Sequence, residues 1–141
     1  MNRPRLESIY AGREGFFRLL EEEAERARHL SRPLTILRVE APGVRNLVEL
    51  ARVYRAVAGA LRTCDRICSL GGHELAVVLA DTDAHRAEAP CERVRAALRI
   101  RAAGLAPRLG AGHISAGSTW QEAWRMAGAL LLADGTVPAA A

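Results

Sequence analysis

Lysine is missing altogether from this 141-residue chain, so all 20 basic residues are arginine. They are interleaved with 16 acidic residues to a net charge of only +4, with no basic run and no alternation of basic and aromatic side chains. That pattern reads as composition and argues against a nucleic-acid-binding surface. Aromatic residues are scarce: Tyr10, Phe16, Phe17, Tyr54, Trp120 and Trp124 are all there are. The core must therefore be built from Leu, Val, Ala and Ile. Three cysteines, an odd number, argue against a closed disulfide framework. No apolar run approaches a membrane span, and residues 1–5 are not followed by the apolar segment of a secretion signal. The expectation is a cytoplasmic protein without membrane contact.

Half of the residues are apolar, enough for one domain to bury a core without metal or disulfide staples. Apolar residues at helical spacing predict a helix over 6–30, with Glu21, Glu22, Glu23 and Glu25 on its wet face. Residues 34–39 read as a largely apolar, central strand. A second helix is predicted over 44–61 on the stripe Leu47, Leu50, Ala51, Tyr54, Val57, Ala58 and Leu61. Residues 64–79 read as strand, Gly71-Gly72 turn, strand, because a tight hairpin turn needs positive φ that glycine supplies. His73 and Glu74 are placed at the exit of that turn. A helix follows over 83–101, with Pro90 tolerated if regular helix starts near Ala89, which puts Arg93 in its first turn. A strand within 105–114 and a last helix opened by the capping box Thr119-x-x-Glu122 complete the chain. Gly135 is expected to end that helix, and Trp120 and Trp124 read as packing residues. The expected fold class is α/β, of an α+β palm-like kind, with one sheet covered by helices.

Asp65, Gly71, Gly72, His73, Glu74 and Leu75, followed by Ala76-Val77-Val78-Leu79, resemble the signature region of GGDEF domains, the family of the diguanylate cyclases. The opening stretch with Gly12-Arg13 and Phe16-Phe17, the strand from Leu34 to Glu40, and Glu92-Arg93-Val94-Arg95 extend the resemblance over most of the chain. It implies a single domain over 1–141, with an opening helix over 1–31, a frayed tail over 136–141, and a central mixed sheet whose hairpin projects the signature turn.

The signature is degenerate, reading Gly-Gly-His-Glu-Leu. In active relatives two acidic positions hold magnesium, and they match Glu40 and His73. An imidazole is a poor ligand for that hard cation. About ten residues that carry the family's guanine readers are missing between Glu40 and Val53, and no lysine follows in the last helix. The resemblance thus implies no catalytic residue, no metal and no cofactor.

Arg62-x-x-Asp65, ending six residues before Gly71, matches the family's product-inhibition site in motif and spacing. There the arginine grips phosphate or the guanine Hoogsteen edge, and the aspartate accepts from guanine N1 and N2. Arg93 matches a second arginine of that site, and Arg66 adds positive potential. The expectation is a catalytically inactive domain that senses cyclic di-GMP and signals to a protein partner, with a homodimer possible. The alternatives are a nucleotide-independent interaction module in a bacterial assembly and, third, a residual nucleotide-acting enzyme. A zinc site from Cys64, Cys68, His73 and Cys91 is set aside because cysteine is commonly a small core residue. His29, His85 and His113 have no partner at a motif spacing.

Overall fold

The computed structural model describes residues 12–115 and 117–133. The elements run α1 (Gly12–His29), β1 (Leu34–Glu40), α2 (Leu47–Ala58), β2 (Arg66–Gly71), β3 (Glu74–Ala80), α3 (Glu88–Arg101), a 3₁₀ turn (Ala103–Leu105), β4 (Arg108–Ile114) and α4 (Trp120–Ala133). The four strands form one sheet in the order β2-β3-β1-β4. This is an α+β fold. The start of the expected first helix, Gly135 and the tail lie outside the described residues.

Every pairing is antiparallel, which corrects the expected mixed sheet. β1 and β2 run the same way, as a helical crossover requires, but β3 returns between them and separates the parallel pair. β1 and β3 occupy the centre, which explains why both read as almost unbroken apolar runs. Leu37, Val39, Leu75, Val77 and Leu79 point to one face and pack with Val53 and Val57 of α2 and Val94 and Leu98 of α3. Ile36, Ala76, Val78 and Cys68 point to the other, against Phe16 and Leu20 of α1 and Ala123 of α4. Cys68 and Cys91 therefore belong to opposite sides of the sheet. Burial pushes the Cys68 thiol up to about 11, so it stays protonated and inert at neutral pH.

Gly110 and Gly112 set how closely α4 lies on β4. A Cβ at Gly110 would fall 2.0 Å from the Ala127 carbonyl oxygen, and one at Gly112 would fall 1.8 Å from that of Ala123. Beside this contact Phe17 stacks on Trp120 with ring centroids 5.6 Å apart and meets Trp124 edge-on at 5.1 Å. The two tryptophans are packing residues, as their spacing implies. Thr119 Oγ1 accepts from the Glu122 N–H at 3.2 Å and so caps α4.

Three local expectations need correction. Asn46 caps α2 by accepting from the Glu49 N–H, so the helix begins at Leu47, whose side chain is 81% exposed rather than part of the apolar stripe. Pro90 sits in the first turn of α3, where its missing N–H has no helical acceptor to lose, but the helix starts at Glu88 and Arg93 falls in the second turn. Gly72 and His73 together lie between the paired Gly71 and Glu74, so His73 is inside the hairpin turn rather than at its exit. The pairing shifts between Ser69 and Gly71, and this irregularity moves the turn along by one residue.

Candidate functional site

The signature turn stands at the end of the sheet where β1 finishes. Gly71 and Gly72 have φ of +99° and +59°, and no atom lies near where a Cβ would be. Conformation alone selects glycine there. The Ala41 N–H donates to the His73 carbonyl at 2.9 Å, which holds the turn against the end of β1. His73 Nδ1 is buried without a hydrogen-bond partner among the described residues, 3.9 Å from Glu40 Oε1. The two positions matched to the metal ligands are thus brought side by side.

Glu74 is engaged elsewhere. Its Oε2 accepts from Arg13 Nη2 at 3.1 Å and lies 3.6 Å from Arg38 Nη2. The Arg38 guanidinium in turn lies over the Trp124 ring, 4.1 Å from the centroid, and close against Gly128, where a Cβ would come within 2.5 Å of Nη1. Leu75, in place of the signature's aromatic, is buried on the α2–α3 side. Magnesium asks for oxygen ligands in near-octahedral array. One carboxylate beside an imidazole, with the next carboxylate between two guanidinium groups, does not fit it. Among the described residues no three His, Cys, Asp or Glu side chains gather to hold a metal ion.

The second candidate lies at the opposite end of the sheet, where the chain leaves α2 and enters β2. Its R-x-x-D spacing has a local cause: the Arg62 N–H donates to Asp65 Oδ2 at 2.8 Å while the Asp65 N–H donates back to the Arg62 carbonyl at 3.1 Å. The turn so closed lets the Arg62 side chain fold onto the same carboxylate, Nε to Oδ2 at 3.3 Å and Nη2 to Oδ1 at 3.0 Å. Nη2 also reaches the Ala80 carbonyl at 2.9 Å and Thr82 Oγ1 at 3.0 Å, fastening the corner to the end of β3. These bonds to Asp65 raise the Arg62 pKa above its ordinary value. The Asp65 side chain is 1% exposed, while that of Arg62 is 48% exposed.

Arg93 reaches this corner from α3, its Nε donating to the Ala60 carbonyl at 3.4 Å, and Arg66 is exposed at the first residue of β2. The structure thus brings Arg62, Asp65 and Arg93 to one corner and keeps them apart from Gly71, Gly72, His73, Glu74 and Leu75, while Arg66 pairs with Val78 and alternates with Cys68 toward the other face of the sheet. Thr82 and the Ala80 carbonyl were not foreseen, because nothing local in the sequence ties the end of β3 to residue 62. Arg38 carried a faint signal, a charge two residues before Glu40 on an otherwise apolar strand.

Thr82 also connects the corner to a part-buried pair. Thr35 Oγ1 donates its one proton to the Thr82 carbonyl at 2.8 Å, so His113 Nδ1, 3.0 Å from that hydroxyl, must be the donor in their contact. Neutral His113 is therefore the Nδ1–H tautomer. Burial lowers its pKa below 6.5, with the charge of Asp83 partly opposing the shift. A groove of about 560 Å³ between α1 and the start of α4 contains no residue of the signature turn or the arginine corner.

No family model matches the sequence, and no curated protein matches it. Solved structures do. The diguanylate cyclase SiaD from Pseudomonas aeruginosa, solved in complex with its activator SiaC, superposes with a TM-score of 0.74 at 21% identity over 92% of this chain. The chain spans only 59% of SiaD. A DGC protein from Thermotoga maritima gives 0.73 at 16% identity, covering 87% of this chain and 95% of that one. The GGDEF domain of DgcB from Caulobacter crescentus, in complex with c-di-GMP, gives 0.68 at 15% identity, covering 86% and 83%. The fold of this chain is that of GGDEF domains.

Proposed function

We propose that this chain is a non-catalytic GGDEF-like domain that senses cyclic di-GMP at the corner of Arg62, Asp65 and Arg93 and passes the bound state to a protein partner. The arginine corner carries the reading. Arg62 is held in place by Asp65 yet half open to solvent, and Arg93 is anchored two residues away along the chain, at Ala60. Guanidinium groups fixed in this way meet phosphate oxygens with little further ordering. DgcB, of the same fold, was solved with c-di-GMP, and SiaD with a protein activator, which supports both a nucleotide and a protein partner here. The absence of catalysis rests on the signature turn, where Glu40 faces an imidazole and Glu74 is held by Arg13 and Arg38.

Calorimetric titration of the whole chain with cyclic di-GMP tests the proposal. Saturable binding that weakens at least tenfold in Arg93→Ala is the expected result, and no heat at millimolar ligand would overturn it. A nucleotide-independent interaction module is the second reading, favoured by Leu47, Val48 and Ile100, which are 81%, 74% and 83% exposed. The Gly43 N–H bond to the Leu105 carbonyl ties the loop before α2 to the 3₁₀ turn after α3. That reading predicts a silent titration.

A further inference from the structure

We infer that the outer face of α2 and α3 docks an acidic amphipathic helix of a partner protein; this rests on the protein-partner half of the reading above and gives that partner its chemistry. The two helices run antiparallel. Arg93, in the second turn of α3, bonds to Ala60 beyond the end of α2, and Gly43 in the loop before α2 bonds to Leu105 after α3. Leu47 and Val48 in the first turn of α2 and Ile100 in the last turn of α3 therefore stand at the same end of the pair. All three are exposed, and a partner that covers them takes their aliphatic surface out of water.

Charge decides what covers them. Val48, Arg52 and Arg55 recur at i, i+4 and i+7 along one stripe of α2, and Arg99 and Arg101 flank Ile100. These arginines are exposed and make no salt bridge among the described residues. On α1, by contrast, Arg26 and Arg28 pair with Glu23 and Glu25 of the same helix. The carboxylates of α2 and α3 do not serve in this way: Glu49 is held by Arg45, and Glu88 and Glu92 lie toward the other end of α3. A second copy docked about a two-fold axis would set arginine against arginine. Segments that lie in a membrane surface carry Trp or Phe on their apolar side, and neither helix exposes an aromatic residue. A helix with a leucine stripe edged by glutamates meets both the aliphatic side chains and the unpaired guanidinium groups.

Fluorescence anisotropy of the whole chain with a labelled synthetic helix of that design, a leucine stripe edged by glutamates, tests the inference. Saturable binding is expected, weakened at least tenfold in the double variant Val48→Ser, Ile100→Ser and likewise in Arg52→Ser, Arg99→Ser. All four side chains are exposed, so the fold tolerates their loss. A peptide of the same charge with serine in place of leucine should bind at least tenfold more weakly. No binding, equal binding of the two peptides, or unchanged binding by the variants overturns the inference. Tighter capture by phosphatidylglycerol vesicles than by the peptide assigns the face to a membrane. A concentration-dependent dimer in sedimentation that the Val48→Ser, Ile100→Ser variant dissolves assigns it to a second copy. Either result also overturns the inference, and none of these outcomes touches the cyclic di-GMP titration, which reads the arginine corner.

Discussion

With its side chain almost wholly out of water, Asp65 accepts three N–H bonds from Arg62 alone. Its removal takes the acceptor from the Arg62 backbone N–H and Nε and leaves only the Ala80 carbonyl and Thr82 hydroxyl to hold the guanidinium, and part-buried donors are expensive to strand. Asp65→Ala should lower stability by about 2 kcal/mol, read as a lower urea midpoint at unchanged slope. Arg93→Ala, which removes an exposed side chain, should stay within about 0.5 kcal/mol. That contrast makes Arg93 the cleaner residue for binding measurements. His113 supplies a pH signature. Its folded pKa lies below 6.5, so at mildly acid pH the unfolded chain holds the extra proton and the folded one does not. Its stabilising contribution is complete above pH 6.5 and is lost as pH falls through the lowered value. His113→Gln should flatten the decline of thermal midpoint with pH across that window.

Among the elements, the contact of α4 with β4 leaves least room for change. Gly112→Ala must push its Cβ into the Ala123 carbonyl, so either the helix lifts or the strand bends. A loss of at least about 2 kcal/mol is expected. Gly104→Ala meets open space at a position with no left-handed requirement and should be nearly neutral in the same denaturation series. The sequence reveals less about this contact than about the strands themselves. Leu34–Glu40 and Glu74–Ala80 announce themselves as apolar runs because both faces of a central strand are buried. Gly110 and Gly112 give no such signal, since their meaning lies in a helix some ten residues further on. Leu47 misleads for the opposite reason. Helical periodicity places it on the stripe, but the Asn46 cap starts the helix there and turns its side chain to water.

At the scale of the whole molecule, the sheet separates two ends with different chemistry. The signature end has its glycine turn, with a carboxylate and an imidazole side by side at Glu40 and His73. Arg13 and Arg38 now occupy Glu74, and His73 faces Glu40. Returning one carboxylate should not restore chemistry: His73→Asp incubated with GTP and magnesium should yield no cyclic dinucleotide by chromatography. The R-x-x-D spacing was legible because it closes a local turn, whereas its anchorage to Ala80 and Thr82 depends on the sheet order. Amide hydrogen exchange with and without cyclic di-GMP asks most directly which end meets the ligand. Slower exchange at residues 60–66 and 92–96, with 71–75 unchanged, is the predicted result. Protection centred on 71–75, or none anywhere, would contradict a sensor built on the arginine corner.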